Sequence, residues 1–123
     1  MARAPRSGRS CAAAEPLTPP VAPDSPRGLY LHVPFCSVKC FYCDFTAFAG
    51  QGGSVARYLK CLDLDAGRAS AGLDPAGEVH TLYVGGGTPS ELSANDLSAL
   101  LAMVERRFRP VGSHLETTVE AKP

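Results

Sequence analysis

No excess of charge marks this chain, in which twelve basic residues face twelve acidic ones across 123 positions. That balance excludes the broad electrostatic footprint of a nucleic-acid binder or of a protein drawn to an anionic membrane surface. No apolar run approaches the ~20 residues that a membrane-spanning helix requires. A secretory signal is also lacking, and the five cysteines are an odd number. Both features disfavour a disulfide framework, favour metal or catalytic chemistry, and lead us to expect a cytoplasmic protein. A second C-x2-C or H-x3-H pair is missing as well. A structural zinc site closes on four protein ligands, so it would have to recruit His32, Cys61 or the distant Cys11 as its fourth. No internal repeat is visible beyond a recurring βα pattern.

What is present begins with Cys36, Cys40 and Cys43, at C-x3-C-x2-C spacing directly after Gly-Leu-Tyr-Leu-His-Val-Pro-Phe. Three thiolates on one short loop can hold three irons of a four-iron cluster and leave the fourth open. An open iron can bind and reduce a small ligand, whereas a fully ligated cluster mainly passes electrons. The spacing favours iron–sulfur over zinc and leaves both open. Downstream, a strand expected over Val79–Val84 runs straight into Gly85-Gly86-Gly87-Thr88-Pro89-Ser90. Successive glycines let a ligand approach the backbone closely and permit positive φ, Thr88 offers a hydroxyl, and Pro89 stiffens the exit. A glycine run alone can be a plain turn. Placed at a strand end, after a cysteine loop also at a strand end, it falls on the functional face of a parallel α/β sheet.

The remaining elements are legible. Leu29–Val33 reads as a short strand ended by Pro34. Val55–Ala69 reads as a helix with Val55, Leu59, Leu62 and Ala66 near helical spacing. Positions 72–77 read as loop. Ser93-Ala94-Asn95-Asp96 has the form of a capping box, and Leu97, Leu100, Leu101, Val104 and Phe108 then trace an apolar stripe. Leu115–Glu120 is the third expected strand. Strand, helix, strand, helix, strand implies a parallel sheet with right-handed crossovers. Residues 1–27, rich in Ala, Pro, Arg and Ser, are expected to be a disordered tail. A mitochondrial targeting peptide is the sharper alternative, given Arg3, Arg6 and Arg9, and its prolines argue against it.

Taken together, the Y-x-H-x-P-F-C-x3-C-x-Y-C-D-F run, the G-G-G-T-P-S run and the closing Glu-x-x-Pro resemble the radical S-adenosylmethionine (SAM) superfamily. Within it they are similar to the coproporphyrinogen-dehydrogenase-like branch, which includes HemW-type heme chaperones. The resemblance spans Gly28 to Pro123. It implies an α/β fold, the first half of a partial (β/α) barrel, and so an N-terminal part of a truncated core domain (28–123), inactive alone. The dehydrogenases carry a fourth cysteine two residues after the third, where this chain has Phe45. The C-D-F ending is similar to the chaperones, so a heme chaperone is expected over an oxygen-independent coproporphyrinogen III dehydrogenase. A zinc-binding interaction module is the alternative of a different class.

The resemblance also implies cofactors and roles. Cys36, Cys40 and Cys43 would be ligands of a 4Fe-4S cluster. Gly86, Gly87 and Thr88 would cradle the methionyl part of SAM, and Glu120 would accept from its amine, a charge-assisted contact. Tyr42 would lie near the adenine and Tyr30 near SAM and the cluster, Tyr30 having a packed strand position as its plain alternative. Where relatives often show Glu-x-Asn-Pro, this chain has Glu120-Ala121-Lys122-Pro123, which removes any contact by the asparagine. Heme or a porphyrin, a heme-receiving protein and an electron donor such as flavodoxin or ferredoxin are the implied partners. The implied chemistry is reductive cleavage of SAM to methionine and a 5′-deoxyadenosyl radical. His32 is expected to be structural, Cys61 a small packed residue on its helix, and Asp63 and Asp65 a solvated face.

Overall fold

The computed structural model describes residues 27–73, 78–110, 112 and 115–122. The expected tail up to position 26, with Cys11, lies outside the described residues, as does most of the 72–77 loop. Seven elements carry the fold: β1 (Arg27–Val33), β2 (Phe35–Cys36), β3 (Phe48–Ala49), α1 (Val55–Ala71), β4 (Val79–Gly86), α2 (Ala94–Arg107) and β5 (Glu116–Val119). β1, β4 and β5 pair in parallel in that order, and β2 pairs with β3 separately. This is the expected parallel α/β arrangement. β1 starts two residues earlier than expected, with Arg27 buried against β4 rather than ending the tail. β4 continues two residues further, because Gly85 and Gly86 stay in register with His32 and Val33.

Alternation assigns the two faces of the sheet. Leu31 and Val33 on β1, with Leu82 and Val84 on β4, point to one side and are almost fully buried. Both helices cover that side. Ala66 of α1 and Leu100, Met103 and Val104 of α2 complete one hydrophobic core, with Leu59, Leu62 and Leu101 packed at its margin. Burying each such side chain contributes about 1.5–3 kcal/mol. α2 starts where the sequence indicates: Ser93 Oγ accepts from the Asp96 amide at 3.1 Å. The reciprocal half of the box differs, since Ser93 Oγ also donates to Asp96 Oδ2 at 2.6 Å. Asp63 is not a solvated charge. It ties α1 to α2 through Arg107 Nε at 2.8 Å and Arg106 at 3.2 Å. Cys61 lies half-buried on α1. The opposite face of the sheet, carrying Tyr30 and Tyr83, and the whole of β5 are exposed.

Candidate functional site

β1 and β4 bring the two motifs to the same end of the sheet. Pro34 stops β1, and the chain turns into β2, where Phe48 N–H donates to the Pro34 carbonyl at 2.8 Å. Gly87 N–H then donates to the Val33 carbonyl at 2.8 Å, and Thr88 N–H to the Phe35 carbonyl at 2.7 Å. The glycine motif is thereby zipped onto the root of the cysteine loop. Thr88 Oγ1 also donates to Cys36 Sγ at 3.4 Å.

The glycines are required by the protein's own packing. A Cβ on Gly87 would lie 2.5 Å from the Phe35 carbonyl oxygen, and one on Gly86 would lie 2.6 Å from the His32 ring. At Gly85 it would sit 2.7 Å from the Tyr83 ring and 3.0 Å from the Glu120 carboxyl group. Gly86 does have the positive φ, +116°, that the run permits. The space expected for close ligand approach is therefore shared with Phe35, His32 and Glu120.

Glu120 leaves β5 at this end, its amide donating to the Val84 carbonyl at 3.0 Å. Its Oε2 accepts from the Gly86 amide at 3.0 Å and its Oε1 from the Tyr83 hydroxyl at 2.7 Å. That hydrogen bond, with smaller contributions from burial and from the Glu120 charge, holds the Tyr83 phenol above its ordinary range. Tyr30 stacks on Tyr83 with ring centroids 5.9 Å apart, and its hydroxyl meets His32 Nδ1 at 3.0 Å. The other ring nitrogen of His32 lies 2.8 Å from the Thr46 carbonyl, which can only accept, so Nε2 carries the proton. Through this bond His32 ties the far end of the cysteine loop to β1.

Cys40, Tyr42, Gly87, Thr88, Glu120 and Lys122 line one open cleft of about 620 Å³. Tyr42 is 74% exposed and packs edge-on against Phe41. A hydrogen bond with Cys40 raises its phenol pKa. Cys36, Cys40 and Cys43 are free thiols, all half-buried. Among the described residues, no three cysteine, histidine or carboxylate groups are gathered to hold a metal ion. The structure thus unites Cys40, Tyr42, Gly87, Thr88 and Glu120 at one cleft, with Cys36 bonded to Thr88. It does not bring the three sulfurs to a common point, and Tyr30 stands on the adjoining open face of the sheet.

Sequence reasoning passes over Tyr83, Ser37, Thr46 and Glu91. Tyr83 was legible, since it lies between buried Leu82 and Val84 and so must face the other side. Glu91 was not. Its partner Ser37 is 54 positions away, and no local pattern connects them.

A parallel sheet covered by two helices, with a cysteine loop and a glycine motif at one end, defines a radical SAM-type fold. The solved coproporphyrinogen III oxidase HemN from Escherichia coli, a radical SAM enzyme, matches it with a TM-score of 0.75 and 26% identity. That match covers 81% of this chain and 23% of HemN. No protein-family model matches the chain. In sequence it is 46% identical over 104 residues to the heme chaperone HemW of Mycobacterium tuberculosis and 40% identical over 103 to that of E. coli. It is 34% identical over 97 residues to an anaerobilin synthase of E. coli O157:H7. These alignments cover 82%, 80% and 78% of this chain, and 26%, 26% and 22% of the relatives. The chain is a homologue of the HemW heme chaperones and of coproporphyrinogen oxidase-like radical SAM proteins, and it spans about a quarter of their length.

Proposed function

We propose that this chain is the cluster- and SAM-binding part of a HemW-like heme chaperone. The observation that carries the reading is the convergence of Cys40, Thr88 and Glu120 on one cleft, with Cys36 bonded to Thr88. The donor set fits both groups. Three free thiols on a single loop suit thiophilic iron. Each Glu120 oxygen spends one lone pair on the protein and keeps another for an ammonium group. Bound there, the cluster and SAM would supply one-electron chemistry at the sulfonium.

The chain's own residues hold and orient. Cys36, Cys40 and Cys43 ligate iron. The Thr88 hydroxyl, already donating to Cys36 Sγ, stabilises thiolate charge there. Gly86–Thr88 receive the methionyl group, Glu120 accepts from the amine, Tyr42 offers its ring to the adenine, and Tyr30 stands beside the site. Between Cys36 and Thr46 the loop has a single internal backbone bond, Cys43 N–H to the Cys40 carbonyl at 3.1 Å. It can gather the thiols as metal binds, the coordination energy offsetting the ordering. Heme, a heme-receiving protein and a flavodoxin- or ferredoxin-type donor are the partners of this reading.

A second reading, coproporphyrinogen III dehydrogenase, draws support from the likeness to HemN. Phe45, standing where those enzymes carry a fourth cysteine, weighs against it. The test is anaerobic reconstitution with iron and sulfide, followed by electron paramagnetic resonance of the reduced sample with and without SAM. A four-iron signal that SAM shifts, together with heme binding and no turnover of coproporphyrinogen III, is expected. Turnover moves the reading to the dehydrogenase. A colourless protein containing zinc moves it to a zinc-binding module.

A further inference from the structure

We infer that Glu91 is a positioning residue that latches the cysteine loop to the glycine motif. Glu91 sits in the short 3-10 turn Pro89–Glu91 that follows Thr88, its amide bonded to the Thr88 carbonyl at 2.9 Å. Its carboxylate reaches across to the first residue after Cys36. Oε1 accepts from Ser37 Oγ at 2.7 Å and Oε2 accepts from the Ser37 amide. Both carboxylate oxygens are thus spent on one residue, a two-point grip that fixes direction as well as distance. Charge-assisted bonds of this kind are about twice as strong as neutral ones.

The latch has a consequence within the loop. Cys36 is held on every side: its carbonyl accepts from Gly50 N–H at 3.2 Å, its sulfur accepts from Thr88, and its successor is gripped by Glu91. Further along, His32 holds the Thr46 carbonyl. Cys40 and Cys43 lie in the span between these two anchors. Cys36 is the pre-placed ligand, and the other two thiols close onto it. The role in metal capture rests on the cluster reading proposed above, whereas the latch itself does not.

The experiment separates the two. On the full chain without metal, Glu91→Ala is expected to speed hydrogen exchange at the Ser37 amide, and tryptic cleavage after Lys39, by about tenfold. Glu91→Gln should stay near wild type, since its carbonyl can accept from the Ser37 amide while its NH2 donates to Ser37 Oγ. Unchanged exchange and cleavage in Glu91→Ala overturn the latch. Should Glu91→Ala not fold, Ser37→Ala, which removes only the hydroxyl, must still loosen the loop about twofold, and no change overturns the latch equally. Iron content and the SAM-dependent resonance shift are then read after reconstitution. Wild type without a cluster rejects the cluster reading and leaves the latch standing. A loosened Glu91→Ala loop that takes up iron and responds to SAM as wild type does overturns the positioning role.

Discussion

Replacing Gly87 by alanine tests the finding that the glycine motif is packed against the protein's own backbone. The added Cβ would fall 2.5 Å from the Phe35 carbonyl oxygen, 2.8 Å from its nitrogen and 2.9 Å from its carbonyl carbon. These are main-chain atoms, so no rotamer change relieves the overlap. Relief requires separating β4's end from the β1–β2 connection, which breaks or stretches the Gly87–Val33 and Thr88–Phe35 hydrogen bonds. Overpacking costs about 1–3 kcal/mol and each of the two lost hydrogen bonds about 1 kcal/mol, giving an expected destabilisation of about 3–5 kcal/mol. With a urea dependence of about 2 kcal/mol per molar, the unfolding midpoint should fall by about 1.5–2.5 M. Gly53→Ala is the control, because nothing lies within 4 Å of its Cβ. Its stability should stay within about 0.5 kcal/mol of wild type. Equal midpoints for Gly87→Ala and Gly53→Ala would refute the reasoning.

Two pH effects follow from the charges. Asp63 is held below the usual carboxylate range by its hydrogen bond to Arg107, burial pushing the other way, with Arg106 reinforcing the pair. A lowered folded pKa contributes stability that is present above the unfolded value and lost as pH falls through the folded one. Asp63→Asn should therefore be less stable than wild type at neutral pH, with the gap closing in strong acid; a penalty that stays constant down to about pH 2 contradicts this. Tyr83 has the opposite sign. Its raised pKa gives a contribution that is complete below the ordinary phenol range and lost as pH rises through the raised value. In an absorbance titration of the four tyrosines, Glu120→Gln should bring one of them back down. Identical curves for the two proteins would remove Glu120 as the cause.

Much of this site was legible along the chain. The cysteine spacing, the glycine run at a strand end and the Ser93 cap are local, because each depends on residues within one turn or one loop. The two-residue pairing of Phe35–Cys36 with Phe48–Ala49 was not, since so short a ladder has no period to detect. Nor was the partnership of Asp63 with Arg107, which joins two helices separated by a strand.

By itself, the sequence determined the parallel α/β order, the buried sides of β1 and β4, and the chemistry gathered on one loop. Alternation and helical spacing are properties of consecutive residues, and so is the supply of three thiols. Only the tertiary structure decided what those residues touch. It set the His32, Phe35 and Glu120 groups into the places where glycine side chains would be, and it gave Glu120 to Gly86 and Tyr83 before any ligand. It also brought Glu91 to Ser37. Parallel pairing makes such meetings, because it carries the ends of distant strands to one edge of a sheet, where side chains far apart in sequence come within bonding reach.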